Sequence, residues 1–264
     1  MERSRDRIEI LGVGVDPLTV DELHAEIGRE VRGDGHALVL NANVHCLNLA
    51  HSDPALRDFL NDAEIVFCDG AGVMLAARLL GRYIPGRITY ADWIWHLAAY
   101  AAAEGFTLYF LGARPGVAEK AAGKLEDRYP DLKISGIRHG YFDRSPSSPE
   151  NEAVIEEINA VAPDILLVGF GMPLQERWLM ENWRRIDARV ALTGGAVFDY
   201  VSGELRRGPR TLTDNGFEWL ARMIVEPRRL WRRYVVGNPV FLSRVIRQRL
   251  NNRREARRKN KQNS

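Results

Sequence analysis

Carboxylate and amide side chains stand where several apolar runs break off. The run Ile65-Val66-Phe67-Cys68 ends at Asp69, with Gly70-Ala71-Gly72 and a helical pattern behind it. The run His36–Leu40 ends at Asn41-Ala42-Asn43. A carboxylate at such an edge, beside helix amides and water, can take a proton from a hydroxyl as a general base. The same place suits a helix N-cap, worth about 1 kcal/mol and the more ordinary use of Asp there. The glycines behind it weigh toward a ligand, because they let one approach the backbone. Neighbouring parallel strands would set Asn41 and Asn43 beside Asp69, where amides can orient a base or grip hydroxyls. Turn formation explains Asn equally well.

Glycine turns form a second group. Gly112 opens Gly112-Ala-Arg-Pro-Gly116, Gly171 lies in "GFGMPLQE" and Gly195 closes Thr193-Gly-Gly195. Backbone N–H groups at such helix starts bind phosphate, although any single one is commonly just a tight turn. None is G-x-x-x-x-G-K-[ST], and "GVGVDPL" is not G-x-G-x-x-G. Gln175, just inside the following helix, can read a hydroxyl or phosphate, or fill surface. There is no Asp-x-Asp pair for a metal diphosphate and no His/Cys cluster with zinc spacing. Neither a metal nor a cofactor is expected. Cys46 and Cys68, both in apolar context, read as reduced packing residues.

These residues need a frame that brings strand ends together. Strand-like and helix-like segments alternate to about residue 200. The strands read as Ile8–Val15, His36–Leu40, Glu64–Cys68, Phe106–Leu111, Leu132–Ile137, Ile165–Val168 and Arg189–Leu192. Most are short, apolar and unalternated, as in sheets covered on both faces. The pattern predicts an α/β, Rossmann-like, mostly parallel sheet with helices on both faces, in which ligands bind beyond the carboxyl ends of the strands. We place a catalytic domain at 1–204, a helical basic appendage at 205–250 and a disordered basic tail at 251–264.

The 264 residues are 45% hydrophobic and 27% charged, with a net charge of +2. Residues 206–264 carry 17 Lys and Arg against 4 Asp and Glu, whereas the first 205 carry 20 against 31. A basic end on an acidic body points to a polyanionic partner. In that end Phe217, Leu220, Ile224 and Val225 form one apolar stripe, Leu230, Trp231, Tyr234 and Val235 a second, and Phe241, Leu242, Val245 and Ile246 a third. Such stripes among Arg and Trp suit a helix in a membrane interface, or a lid packed on the body. They argue against nucleic acid as the main partner, since tracking phosphates needs no Leu, Ile or Val. No run of about 18 apolar residues spans a bilayer, and Met1–Arg7 lacks a secretory core. Exposed stripes also favour self-association.

Asn41-Ala-Asn43, "CDGAGV", "GFGMPLQERW", "TGGAVFDYVSGELRRGPR" and "GFEWLARMIVEPRRLWRRY" together resemble the WecG/TagA/CpsF glycosyltransferase family, from about Ile8 to Val236. The resemblance implies a bacterial, metal-independent, inverting transferase at the inner face of the cytoplasmic membrane. It would move a sugar from a UDP donor to a polyprenyl-diphosphate-linked saccharide. It makes Asp69 the catalytic base and puts Asn41 and Asn43 near a sugar. Arg87, Gly112, Gly171, Gln175, Gly195 and Asp199 then form the substrate and UDP set, and Arg222, Arg229 and Arg232 come from the appendage. The family carries Thr where Asn41 stands and a glycine where Tyr90 stands. A nucleotide-dependent oxidoreductase in the same crevice and a non-enzymatic membrane- or polyanion-binding module are the competing readings.

Overall fold

The computed structural model describes residues 6–33, 35–208, 211 and 218–262. Ile8–Val15 is a hairpin and not one strand. Its arms, β1 (Ile8–Ile10) and β2 (Val13–Val15), pair antiparallel across Leu11 and Gly12, which have φ of 53° and 86°. Two successive positive φ values give a turn whose twist matches the flanking strands. No polar residue marks the break, so the run reads as continuous.

Next come α1 (Val20–Arg32), β3 (Ala37–Ala42), α2 (Val44–Ser52), α3 (Pro54–Asp62), β4 (Ile65–Cys68), α4 (Ala71–Leu79) and α5 (Tyr90–Glu104). Then follow β5 (Thr107–Gly112), α6 (Val117–Arg128), β6 (Lys133–Arg138), α7 (Pro149–Val161), β7 (Ile165–Gly169), α8 (Leu174–Asn182), β8 (Val190–Thr193) and α9 (Val197–Ser202). Helix starts follow local chemistry. Thr19 and Glu22 form a reciprocal capping box on α1, and Asp53 with Pro54 opens α3.

Six strands form one parallel sheet in the order β4-β3-β8-β7-β5-β6. The α/β expectation therefore holds. The chain builds the β3–β4 edge and the β5–β6 edge first, and β7 and β8 then close the gap. The carboxyl ends of β4, β3, β8 and β7 become neighbours. Side chains alternate across the sheet with period two. Leu38, Leu40 and Ala42 join the apolar core on one face, Ala37 and Val39 the core on the other.

From residue 218 on, the described residues form α10 (Glu218–Val225), α11 (Pro227–Trp231), a π-helical turn (Arg232–Val236) and α12 (Gly237–Gln262). They are not loosely appended. Phe241 and Val245 of α12 enter the same core as Leu40 and Cys46, worth roughly 1.5–3 kcal/mol each. Arg244 donates to the Asn48 carbonyl (3.1 Å) and side chain (2.9 Å), and Gln248 bonds Leu11 and Glu9 of the hairpin. The second and third stripes of the basic end split. Leu230, Tyr234, Phe241 and Val245 are buried, whereas Trp231, Val235, Leu242 and Ile246 are exposed. In the first stripe Ile224 is exposed, and Phe217 and the Val225 side chain lie outside the described residues. The stretch 251–262 continues α12, and its Arg, Ala, Glu, Lys and Gln are residues that favour a helix. Among the described residues no helix is long and apolar enough to cross a membrane.

Candidate active site

Cys68 ends β4, and the Asp69 N–H then donates to the Ala42 carbonyl at 2.8 Å, extending the β3–β4 ladder by one step. This step sets the Asp69 side chain beside those of Asn41 and Asn43. Asp69 is not a cap. The N-cap of α4 is Gly70, at φ 105°, with no side-chain hydrogen bond. That φ explains the glycine, since a Cβ there is strained.

Both asparagines aim at the carboxylate for definite reasons. The Asn41 Oδ1 accepts from Thr193 Oγ1 at 3.0 Å, which turns its Nδ2 to donate to Asp69 Oδ2 at 3.0 Å. The Asn43 Oδ1 accepts from the Cys46 N–H at 3.0 Å, capping α2, and its Nδ2 reaches the same Oδ2 at 3.4 Å. Asn43 thus both caps α2 and reaches the Asp69 carboxylate. Burial raises the Asp69 pKa above the usual 3.8, against the bonds from Asn43 and Asn41 and the charges of Arg233 and Arg222. Asp69 is thus a stronger base than a free carboxylate, held in one orientation.

Asp69 opens into a cavity of about 920 Å³. Asn41, Asn43, Gly171, Gln175 and Gly195 line its floor, Arg87 and Tyr90 one wall, and Trp219, Arg222, Arg233 and Tyr234 the roof. Leu75, Met172, Leu174, Phe241, Leu242 and Val245 add apolar lining. Asp69 is the only carboxylate among the described residues lining it. The Arg222 guanidinium sits 5.7 Å from the Tyr200 ring centre, and its buried Nε has no hydrogen-bond partner among the described residues.

Gln175 is buried, not surface filler. Its Oε1 accepts from the N–H groups of Gly171 (3.2 Å) and Gly195 (3.0 Å). Two amides that the sequence offered to phosphate are therefore engaged within the protein. Gly112 does not line the cavity. A Cβ there would lie 2.5 Å from the Gly169 carbonyl oxygen, so it serves the packing of β5 on β7. Asp199 lies in α9 between the lining residues Ala196 and Tyr200 but does not itself line the cavity. Arg232 is exposed and packs on Trp231, and the Arg229 side chain lies outside the described residues.

Arg233, His45 and Tyr90 were missed by the reading of the sequence. The π turn at Arg232–Val236 widens the helix, and Arg233, not Arg232, lines the cavity. The pair Arg232-Arg233 was visible, but the phase that selects between them was not. His45 sits in apolar context beside Asn43. Burial, helped by Arg233, lowers its pKa to about 4 and keeps it neutral.

A family model described as the glycosyl transferase WecG/TagA/CpsF family matches residues 8–255. Three similar proteins come from Staphylococcus aureus strains MRSA252, NCTC 8325 / PS 47 and COL. Each carries the name N-acetylglucosaminyldiphosphoundecaprenol N-acetyl-beta-D-mannosaminyltransferase. Each is 27% identical over 247 residues, covering 92% of this chain and 94% of the relative.

Proposed function

Because the chain belongs to the WecG/TagA/CpsF glycosyltransferase family, we propose that it transfers a sugar from a UDP donor to a polyprenyl-diphosphate-linked saccharide, with inversion and without a metal. The relatives named above support a lipid-linked N-acetylglucosamine acceptor and an N-acetylmannosamine donor sugar. The observation that carries the reading is Asp69, a single carboxylate oriented by two amides at the floor of a cavity roofed by arginines.

In the proposed step Asp69 takes the proton of the acceptor hydroxyl. The hydroxyl oxygen bonds to the anomeric carbon as the bond from that carbon to the diphosphate breaks, and UDP departs with the electron pair. A single displacement needs one base, whereas a double displacement with retention also needs a nucleophile. One lining carboxylate favours the first. Arg222, Arg233 and Arg87 supply positive charge for the leaving diphosphate, and guanidinium forks match its oxygens. The oxidoreductase alternative finds no dinucleotide fingerprint to support it.

The roof also carries an outward apolar row. Ile224 is 68% exposed, and Val235, Val236, Ile246 and Leu250 continue the row beside the exposed Arg228, Arg232 and Arg247. This composition supports docking on an anionic membrane surface, each basic residue adding about 1 kcal/mol. It supports a site of action at the cytoplasmic leaflet, where a lipid-linked acceptor would be met. The same row would drive self-association away from lipid.

The test is UDP release from a panel of UDP-sugars, with a short-chain prenyl-diphosphate N-acetylglucosamine acceptor and chelator present. Turnover with one or more donors is expected. No release with any donor, or release only after a divalent ion is added, refutes the reading. Pelleting with phosphatidylglycerol vesicles but not phosphatidylcholine vesicles is expected, and equal pelleting removes the membrane part.

A further inference from the structure

Gln175 and Glu176 are each only 1% exposed, yet both follow directly on the loop that leaves β7. The Gln175 Oε1 already accepts two N–H groups, from Gly171 and Gly195. Its amide is therefore locked with Nε2 facing away, and Nε2 donates to Glu176 Oε1 at 2.8 Å. The other carboxyl oxygen, Glu176 Oε2, is buried with no partner among the described residues. Burial raises the Glu176 pKa to about 7, against the bond from Gln175. A buried carboxyl with an unmet oxygen costs stability.

The clipped glycines explain what it serves. Gly171 and Gly195 have φ of 83° and 59°, which side-chain-bearing residues rarely adopt. A Cβ on either would meet nothing within 4 Å. Both turns thus present an open backbone face, and both line the cavity holding Asp69. They come from the ends of different strands, β7 and β8, and the Gln175 oxygen bridges them.

We infer that Glu176 is a positioning residue, which through Gln175 fixes the two glycine turns as the floor on which the donor nucleotide-sugar lies. This rests on the transferase reading above. It adds that the floor's shape, and so donor affinity, depends on an acceptor atom at position 176 that never touches substrate. It also assigns the diphosphate to the arginines, because the Gly171 and Gly195 amides are spent on Gln175.

Glu176→Leu deletes the acceptor and supplies an apolar side chain of similar reach. It should melt at the same temperature as the parent or higher, while UDP affinity by calorimetry falls roughly tenfold to a hundredfold. Glu176→Gln keeps a carbonyl acceptor and should bind UDP within about threefold of the parent. Unchanged UDP binding by Glu176→Leu overturns the inference, and so does equal impairment of the Leu and Gln variants. If the Leu variant does not fold, an exchange decides. Gln175→Glu alone, which sets two carboxyls together, should lose UDP affinity. Adding Glu176→Gln, which restores a donor–acceptor pair of reversed polarity, should recover it. A double variant no better than the single overturns the inference. If the parent chain transfers sugar and Glu176→Leu binds UDP unchanged, only the positioning role falls. If the parent neither binds UDP nor releases it, the transferase reading falls and takes this inference with it.

Discussion

The floor and the roof of the cavity are built on opposite terms. The floor is made of strand ends and short loops locked by directed bonds: Thr193 to Asn41, Asn41 and Asn43 to Asp69, and Gln175 to two glycine amides. The roof holds its charges on short helical pieces joined by a π turn, with Arg222 against the Tyr200 ring and an outward face of exposed apolar side chains. A base must be aimed before substrate arrives, because its angle to the hydroxyl decides the proton transfer. A cation that greets a leaving diphosphate tolerates more latitude and gains from a surface that forms around the ligand. Under the proposed reading, the contrast pairs proton transfer with the floor and leaving-group stabilisation with the roof.

Four measurements break or sharpen that contrast. Asp69→Asn should lower kcat about 10²- to 10⁴-fold with an unchanged melting temperature, as read by UDP release. Retained turnover would move the base elsewhere. Arg222→Ala and Arg233→Ala should each lower kcat roughly 10- to 1,000-fold while leaving the body folded. A loss confined to KM would make them ground-state contacts only. Asn41→Ala should cost less, on the order of tenfold. It removes a bond that favours ionised Asp69, so the Asp69 pKa rises and the acid limb of kcat/KM moves to higher pH. An unmoved limb would separate Asn41 from the base. The fourth measurement reads stability and leaves turnover aside. Glu176 is raised from 4.5 to about 7 in the folded chain, so between those values the folded state binds more protons than the unfolded one. Stability present below pH 4.5 is lost as pH rises through 7, on the order of 3 kcal/mol in all. Melting between pH 5 and pH 8 should fall further for the parent than for Glu176→Gln. Parallel curves would show that Glu176 does not titrate in that window.

Much of the floor was legible because strand ends announce themselves. An apolar run that stops at Asp69, or at Asn41-Ala-Asn43, marks the edge of a covered sheet, and parallel pairing then joins the two. Gln175 was legible as a position but not as a role. Sequence gives no sign that one carbonyl oxygen will serve two distant N–H groups. The roof was harder. Its stripes are apolar on more than one side, so periodicity alone cannot say that Phe241 and Val245 go inward while Leu242 and Ile246 go outward. Arg232 came from the resemblance, and the π-helical stretch puts Arg233 on the cavity instead, a phase no sequence pattern announces. The hairpin at Leu11-Gly12 escaped for the opposite reason, having no polar break to mark it.

The wide turn at Arg232–Val236 acts as a gear between two requirements. Upstream of it the helix must show guanidinium groups to the ligand, and downstream it must seat Phe241 and Val245 in the body. One residue more or less shifts a helix by about 100° of rotation. Shortening this turn by a single position would therefore set one half against the other, unseating the hydrophobic anchor or swinging the cations out to water. Length here should be guarded more strictly than side-chain identity. In the Asp143–Ser148 loop, which feeds no such alignment, an insertion should pass with little consequence.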